Sequence, residues 1–360
     1  MPPPKKKLQK NQISIEDYLN HENNTFELID VRSPSEYLID HIPGALNVPA
    51  LTDIERSKVG ELYNLNTFQA KRTGAALVCA NIAKNLENIW KDKPKSWSPV
   101  LYCWRGGDRS KSVAHVLEKV GWRPLVIAGG YKSYRKYVIH KIPECVKNLS
   151  LVVVCGLTGS GKTKFLNYLQ TKKKQVLDLE NLACHRGSLL GSIPSINQPT
   201  QKKFDSLLLH ELKKFEKNTA VYVESESKKI GDIQVPESLI KLMRKSNCLW
   251  IETSDYERVK LLCEEYSHFI KNDCELKIIL TQLKKINQLS IDFSFENLKK
   301  KENLNKLVMD LLAKHYDPAY KKSMKKNYSK LSEAKIIYTK DSKPLNYSEL
   351  TEEGETRRSE

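Results

Sequence analysis

The run Gly156-Leu157-Thr158-Gly159-Ser160-Gly161-Lys162-Thr163 restricts the fold of this 360-residue chain more than any other segment. It satisfies the spacing G-x-x-x-x-G-K-[ST], follows the apolar stretch Leu151-Val152-Val153-Val154-Cys155, and opens a helical pattern at Lys162. A glycine-rich turn between a buried strand and a helix N-terminus aims several backbone N–H groups and a partial positive charge at one anion. Gly156, Gly159, Ser160 and Gly161 shape that cradle, Lys162 supplies a cation to a terminal phosphate, and Thr163 offers a hydroxyl to Mg²⁺. The loop fixes phosphate binding and leaves the reaction open: ATP, GTP and non-nucleotide diphosphates are all chemically admissible. Two carboxylates are rivals for the metal side of the site. Glu224 ends the strand pattern Ala220-Val221-Tyr222-Val223-Glu224, and Asp178 follows Val176-Leu177; either can equally be a helix cap.

A second strand–loop–helix constellation lies upstream. Val100-Leu101-Tyr102 leads into Cys103-Trp104-Arg105-Gly106-Gly107-Asp108-Arg109-Ser110. Gly106 and Gly107 permit a tight loop whose N–H groups converge on one sulfur atom. A helix N-terminus and the cations Arg105 and Arg109 favour thiolate over thiol, the environment a nucleophilic or atom-carrying cysteine needs. Asp108 opposes thiolate formation unless Arg105 or Arg109 pairs with it. The chain has eight cysteines and no CxxC pair, which argues against zinc ribbons and thioredoxin-like chemistry. The others read as small buried residues of a reducing compartment.

Strand and helix patterns alternate through both halves. In the first, strands are expected at 26–31, 100–102 and 124–127, with helices from Ser33-Pro34, over 52–63, 67–91, 110–119 and 131–140. Ile142-Pro143-Glu144 is expected to break the helix and mark a boundary. In the second, strands are expected at 151–155, 176–179, 220–224 and 248–251, then helices at 255–270, 274–287 and 296–315. The alternation predicts an α/β chain with parallel sheets. The divisions are 10–142, 148–252 for the phosphate-binding domain, a helical extension over 253–330, and a polar tail over 331–360.

No apolar run is long enough for a transmembrane helix, and Met1-Pro2-Pro3-Pro4-Lys5-Lys6-Lys7 lacks the apolar core of a signal peptide, so a cytoplasmic protein is expected. The formal net charge of +17, spread over many lysine pairs, suits a polyanionic partner without distinguishing DNA from RNA.

The thiol loop, with Leu28-Ile29-Asp30-Val31-Arg32, Glu36-Tyr37 and His41-Ile42-Pro43-Gly44-Ala45 upstream, resembles the rhodanese superfamily. That resemblance implies a cysteine that carries sulfur or selenium as a persulfide-type adduct, with Asp30 and Arg32 bracing the loop; strand-end packing explains the pair equally well. A rhodanese-like domain followed by a phosphate-binding loop is similar to the tRNA 2-selenouridine synthase family. Further segments in that family's order are Gly129-Gly130-Tyr131, Leu177-Asp178-Leu179-Glu180, His185-Arg186-Gly187, Val223-Glu224-Ser225-Glu226 and Tyr316-Asp317-Pro318. The family likeness implies replacement of sulfur by selenium at C2 of a wobble 2-thiouridine in the tRNA anticodon loop. Geranyl diphosphate first alkylates the sulfur, and selenophosphate then delivers selenium. It implies no tightly bound cofactor, Mg²⁺ as an optional companion of the diphosphate, and an enzyme that supplies selenophosphate as a possible partner. His185-Arg186-Gly187, Lys202-Lys203 and the basic C-terminal helices are candidate tRNA contacts. Rival readings are a plain sulfurtransferase, an NTP-driven kinase or ATPase with a rhodanese module, and a non-enzymatic RNA adaptor.

Overall fold

The computed structural model describes residues 11–20, 26–187, 191, 193, 196–265 and 301–339. They fall into two compact units, Met1–Pro143 with Pro199–His210, and Glu144–Gln198 with Glu211–Glu360.

The first unit contains β1 (Gln12–Ile13), α1 (Ile15–Asn20), β2 (Leu28–Asp30), α2 (Pro34–Ile39), β3 (Leu46–Asn47), α3 (Asp53–Leu65), α4 (Thr67–Asn88), β4 (Val100–Tyr102), α5 (Asp108–Val120) and β5 (Leu125–Ile127). The five strands form a wholly parallel sheet in the order β1-β5-β4-β2-β3. Asp30 is in register with Tyr102, so the carboxyl ends of β2 and β4 present Arg32 and Cys103 side by side. Ligand sites of open parallel sheets lie outside such strand ends. Leu28, Ile29, Leu101 and Val126 are buried among the helices, as continuous apolar strands require. Thr52 starts α3 with a capping box: it accepts from Glu55 N, and Glu55 accepts from its backbone N–H. One residue, Asn66, ends α3 and caps α4 by accepting from Gln69 N at 3.0 Å, which folds the two helices back on each other.

The next helix, α6 (Gly130–Lys147), corrects one expectation: it runs through Pro143 instead of stopping before it. Proline removes one helical hydrogen bond and crowds the preceding turn. Buried Ile142 and Val146 on either side hold the helix down, and packing outweighs the local penalty.

The second unit begins with β6 (Ser150–Cys155), α7 (Lys162–Thr171), β7 (Gln175–Leu177) and α8 (Leu179–Ala183). Helix α9 (Gln201–Leu212) follows, and its residues to His210 belong to the first unit, not to the one that flanks it in sequence. There Asp205 pairs with Arg135 at 2.8 Å, and Thr200 Oγ1 donates to Ile39 O at 2.5 Å. Strand β8 (Ala220–Glu224), the β9–β10 pair (Lys229–Ile230, Ile233–Gln234), α10 (Glu237–Met243), β11 (Asn247–Thr253) and α11 (Asp255–Glu265) come next. After α12 (Lys301–Leu311), a π-helical turn at Leu312–Tyr316 leads into α13 (Asp317–Asn327). The helix expected at 274–287 lies outside the described residues.

The last strand, β12 (Lys335–Thr339), falls where a polar tail was expected. It adds a parallel edge to the order β12-β11-β6-β8-β7. Ile337 and Thr339 are buried while Ile336 and Tyr338 are exposed, the period of two of a strand with one covered face. Five residues between charged flanks give too short a pattern to reveal this in the sequence.

Candidate active site

Cys103 directly follows β4, and its Sγ receives a hydrogen bond from Ser110 Oγ at 3.2 Å. The loop turns tightly at Gly106, whose φ is +64°; a Cβ there would stand 2.6 Å from Ile127 O. Gly130, also at positive φ, sits so close to the loop that a Cβ would collide with Cys103 O and Gly106 N. Tyr131 N donates to Cys103 O at 2.9 Å and Lys132 N to Trp104 O at 3.0 Å. The N-terminus of α6 thus clamps the loop from behind, and the Gly129-Gly130 turn is part of the thiol site. Cys103 is only 3% exposed, yet it borders a cavity of about 1030 Å³ together with Arg105, Gly107 and Arg109.

The arginines are arranged differently from the simple expectation that they face the sulfur. Arg109 is paired with Glu36, at 2.6 Å and 3.3 Å. Burial works against the Glu36 carboxylate, but the Arg109 hydrogen bond and charge hold it below the usual carboxylate range. Arg32 grips Asp30 through Nε and Nη2, with its closest contact 2.6 Å, and donates to Asp40 O at 2.7 Å. Its guanidinium lies 4.0 Å from the centre of the Tyr131 ring. Asp30 and Arg32 form a closed, buried pair that reaches Asp40 O and the Tyr131 ring. Asp108 starts α5, where the helix dipole favours a carboxylate, and Arg109 does not pair with it.

In the second unit the phosphate-binding loop adopts its cradle, with Gly159 and Gly161 at φ of +77° and +86°. Lys162 Nζ is folded onto its own loop, donating to Gly156 O at 3.0 Å and Leu157 O at 3.3 Å, and lies 3.6 Å from Glu224. Thr163 Oγ1 donates to Glu224 Oε2 at 3.2 Å. Of the two rival carboxylates, Glu224 is the one that meets Thr163 and Lys162, while Asp178 caps α8 by accepting from Asn181 N at 2.9 Å. Ser160 Oγ is buried and has no hydrogen-bond partner among the described residues.

Three features of this unit had no role assigned from the sequence. Glu180 and Glu226 join Glu224, with one oxygen from each within 4.8 Å of the others. Burial, then the charges of Glu224 and Glu226, push the Glu180 carboxyl up to about 10. Burial and the Glu224 charge push Glu226 up to about 8. Gly187 makes room for the group: at φ +65°, a Cβ there would lie 2.5 Å from Glu180 Oε1. A cluster of three carboxyls, two of them pushed up, beside a phosphate loop and the Thr163 hydroxyl, has the donor set of a hard divalent cation. The third feature is Arg258, 1% exposed, which donates to Thr158 O at 2.9 Å and pairs with Asp317 at 2.6 Å. It ties α11 and α13 to the phosphate loop. An arginine in an amphipathic helix gives no local sign of such burial. The loop's cavity, about 570 Å³, is lined by the three glutamates, by Lys164, Arg186, Lys228 and Arg244, and by Leu261, Leu262, Met324 and three tyrosines.

Of the candidate RNA contacts, His185 is inward-turned: 8% exposed, with Nδ1 accepting from Gly187 N at 3.1 Å. Lys203 Nζ stands 2.9 Å from His41 Nε2, and Lys202 borders the thiol cavity.

A parallel-sheet unit with a cradled thiol, carried on the same chain as a phosphate-loop unit, is a two-site protein of the rhodanese-plus-P-loop class. Residues 14–137 match the family profile described as a rhodanese-like domain, and residues 149–283 match that of the tRNA 2-selenouridine synthase AAA domain. Curated relatives carry the name tRNA 2-selenouridine synthase. The protein of Alcanivorax borkumensis is 34% identical over 69% of this chain and 69% of its own length. That of Shewanella halifaxensis is 33% identical over 72% and 70%, and that of Nitrosomonas europaea 36% identical over 66% and 63%. The chain belongs to the tRNA 2-selenouridine synthase family. It spans about 63% of the Nitrosomonas europaea relative that it matches.

Proposed function

We propose that this protein is a transferase that replaces the sulfur of a tRNA 2-thiouridine by selenium in two steps. The observation that carries the reading is the composition of the phosphate-loop cavity. It combines a diphosphate cradle with an apolar wall of Leu261, Leu262 and Met324, which suits a prenyl diphosphate: one anionic end, one greasy end. In the first step the thiocarbonyl sulfur attacks C1 of geranyl diphosphate. The S–C bond forms, the C–O bond breaks, pyrophosphate leaves and the N3 proton is lost. Lys162, the loop amides and Ser160 Oγ stabilise the charge growing on the leaving group. To do so, Lys162 turns from its own loop carbonyls to the phosphates. Thr163 and Glu224, with Glu180 and Glu226, would hold Mg²⁺ there, which would neutralise the pyrophosphate.

In the second step selenium from selenophosphate adds to C2, with Cys103 steering it from the cradle beside Ser110. Selenophosphate and water supply selenide and phosphate; the C2–S bond breaks, geranyl thiol leaves with a proton, and N3 regains its proton. No oxidant or reductant is needed. The wobble base, in a single-stranded loop, can be splayed out to reach a pocket, and the basic surface suits the surrounding phosphates. An enzyme that makes selenophosphate would be the upstream partner.

Nucleoside mass spectrometry of anticodon-loop RNA incubated with the purified protein tests the reading. The expected result is S-geranyl-2-thiouridine with geranyl diphosphate alone, and 2-selenouridine once selenophosphate is added. Sulfur transfer without either product would establish the plain sulfurtransferase instead. Tight binding of ATP with no affinity for geranyl diphosphate would favour the NTP-driven alternative.

A further inference from the structure

The thiol cavity is larger and greasier than its chemistry requires. A base edge and a small selenium-bearing anion need only the polar end, where Cys103, Arg105 and Arg109 stand. At about 1030 Å³ it reaches the top of the range for sites that enclose drug-sized ligands, roughly 300–1,000 Å³. Its other end is built by the α3–α4 hairpin. Val59, Ala70 and Val78 form its wall, and each is buried, at 7%, 0% and 7% exposure. Gly60, Gly74 and Ala75 also line it and contribute backbone and methyl surface instead of bulk. Leu51, 3% exposed, closes the wall at the entry to α3. The hairpin also brings Arg56, Tyr63 and Lys71 to the lining, so its apolar part is the strip made by Leu51, Val59, Ala70, Gly74, Ala75 and Val78.

We infer that this wall is a subsite for the branched ten-carbon alkyl chain on the base that enters the thiol site. With the alkylated C2–S group at Cys103, the chain attached to that sulfur lies along the strip of Leu51, Val59, Ala70, Gly74, Ala75 and Val78 on α3 and α4. The subsite explains how the second step recognises its substrate: the thiol site receives alkylated bases and leaves unmodified thiouridine unheld. It also places the departing alkyl thiol in an apolar trough, apart from the anion-binding end of the cavity. This inference rests on the two-step reading proposed above and adds to it a selectivity that the reading itself does not require.

The test isolates the second step. Synthetic anticodon-loop RNAs carrying S-geranyl- or S-methyl-2-thiouridine are presented to the full-length protein with selenophosphate, and kcat/KM for selenouridine formation is measured for each. Wild-type protein should prefer the geranylated RNA by more than about 100-fold, since even single methylene groups in a fitted apolar pocket discriminate by roughly 10–200-fold. Ala75 is solvent-exposed at the cavity lining, so Ala75→Trp fills the trough with little demand on the core. It should lower the geranyl-to-methyl ratio at least about tenfold, chiefly through KM. A wild-type measurement guards against a variant that folds badly: S-geranyl-2-thiouridine nucleoside should slow alkylation of Cys103 by iodoacetamide at concentrations where the S-methyl nucleoside does not. Equal protection by the two nucleosides, or a ratio unmoved by Ala75→Trp, overturns the subsite while leaving the two-step function standing. Wild-type protein that selenates neither RNA overturns the function itself, and the subsite with it.

Discussion

The two cradles share one plan, a parallel strand running through a glycine-rich loop into a helix, but their charges are balanced in opposite ways. Around Cys103 two arginines have carboxylate partners in place: Arg32 with Asp30, and Arg109 with Glu36. Around Lys162, three glutamates stand together with two of their carboxyls pushed up, and the lysine is folded back on its own loop. The first site is held by ion pairs already formed. The second is built around charges that its ligands would balance, an anion for Lys162 and a cation for the acids. On the proposed two-step reading, preformed pairs suit a site that steers an atom, and clustered acids beside a phosphate loop suit one that binds a diphosphate with its cation.

Separating the two steps breaks the comparison most sharply. Cys103→Ala should abolish selenouridine formation while geranylation continues, as read by nucleoside mass spectrometry. Lys162→Ala should reduce geranylation by roughly 10²–10³-fold, the usual cost of losing a donor to a developing anion, and should leave selenation of pre-geranylated RNA intact. If both variants lose both steps alike, the two cradles are not independent sites.

Next in size are the buried ion pairs that hold each loop. Asp30→Ala strands Arg32 in the core and Arg258→Ala leaves Asp317 with its main partner gone; each should cost about 3–5 kcal/mol in urea-unfolding free energy. Arg258→Ala should also weaken geranyl diphosphate binding, because Thr158 O loses its donor. Loss of stability without any change in diphosphate affinity would show that the arginine braces only the helices.

The acid cluster gives a smaller, pH-dependent effect. Glu226 and Glu180 hold protons up to about 8 and about 10 when folded. Their folded pKa values lie above those of the unfolded chain, so they contribute stability that is full below the unfolded value near 4.5 and is lost as pH rises through the folded values. In metal-free buffer, Tm should fall as pH is raised from about 6 to about 9, and Mg²⁺ should restore it most at the high end, where metal no longer displaces protons. Glu226→Gln should flatten the pH dependence. No such trend would be expected at the thiol site, where Glu36 already sits low. The smallest effect is expected of Gly187→Ala: at positive φ and against Glu180, it should cost about 1–2 kcal/mol and narrow the difference between metal-free and metal-loaded protein.

Local sequence determined both cradles. The glycine spacing lies within eight residues, directly between a strand and a helix, and the backbone conformations it needs are a property of glycine itself. The alternation of strands and helices likewise specified parallel sheets, since a short connection cannot join parallel neighbours. What the folded chain alone decided is which charges meet. Arg109 turned to Glu36 and not to the sulfur, Arg258 left its helix face for the phosphate loop, and Glu180 came from another strand–helix connection to stand beside Glu224 and Glu226. The same holds where packing overrode local preference, in the helix that continues through Pro143 and the strand drawn from a polar terminus. Backbone geometry is set by neighbours in the chain, whereas partners separated by tens of residues are chosen by burial, which penalises an unpaired charge more than any local pattern can signal.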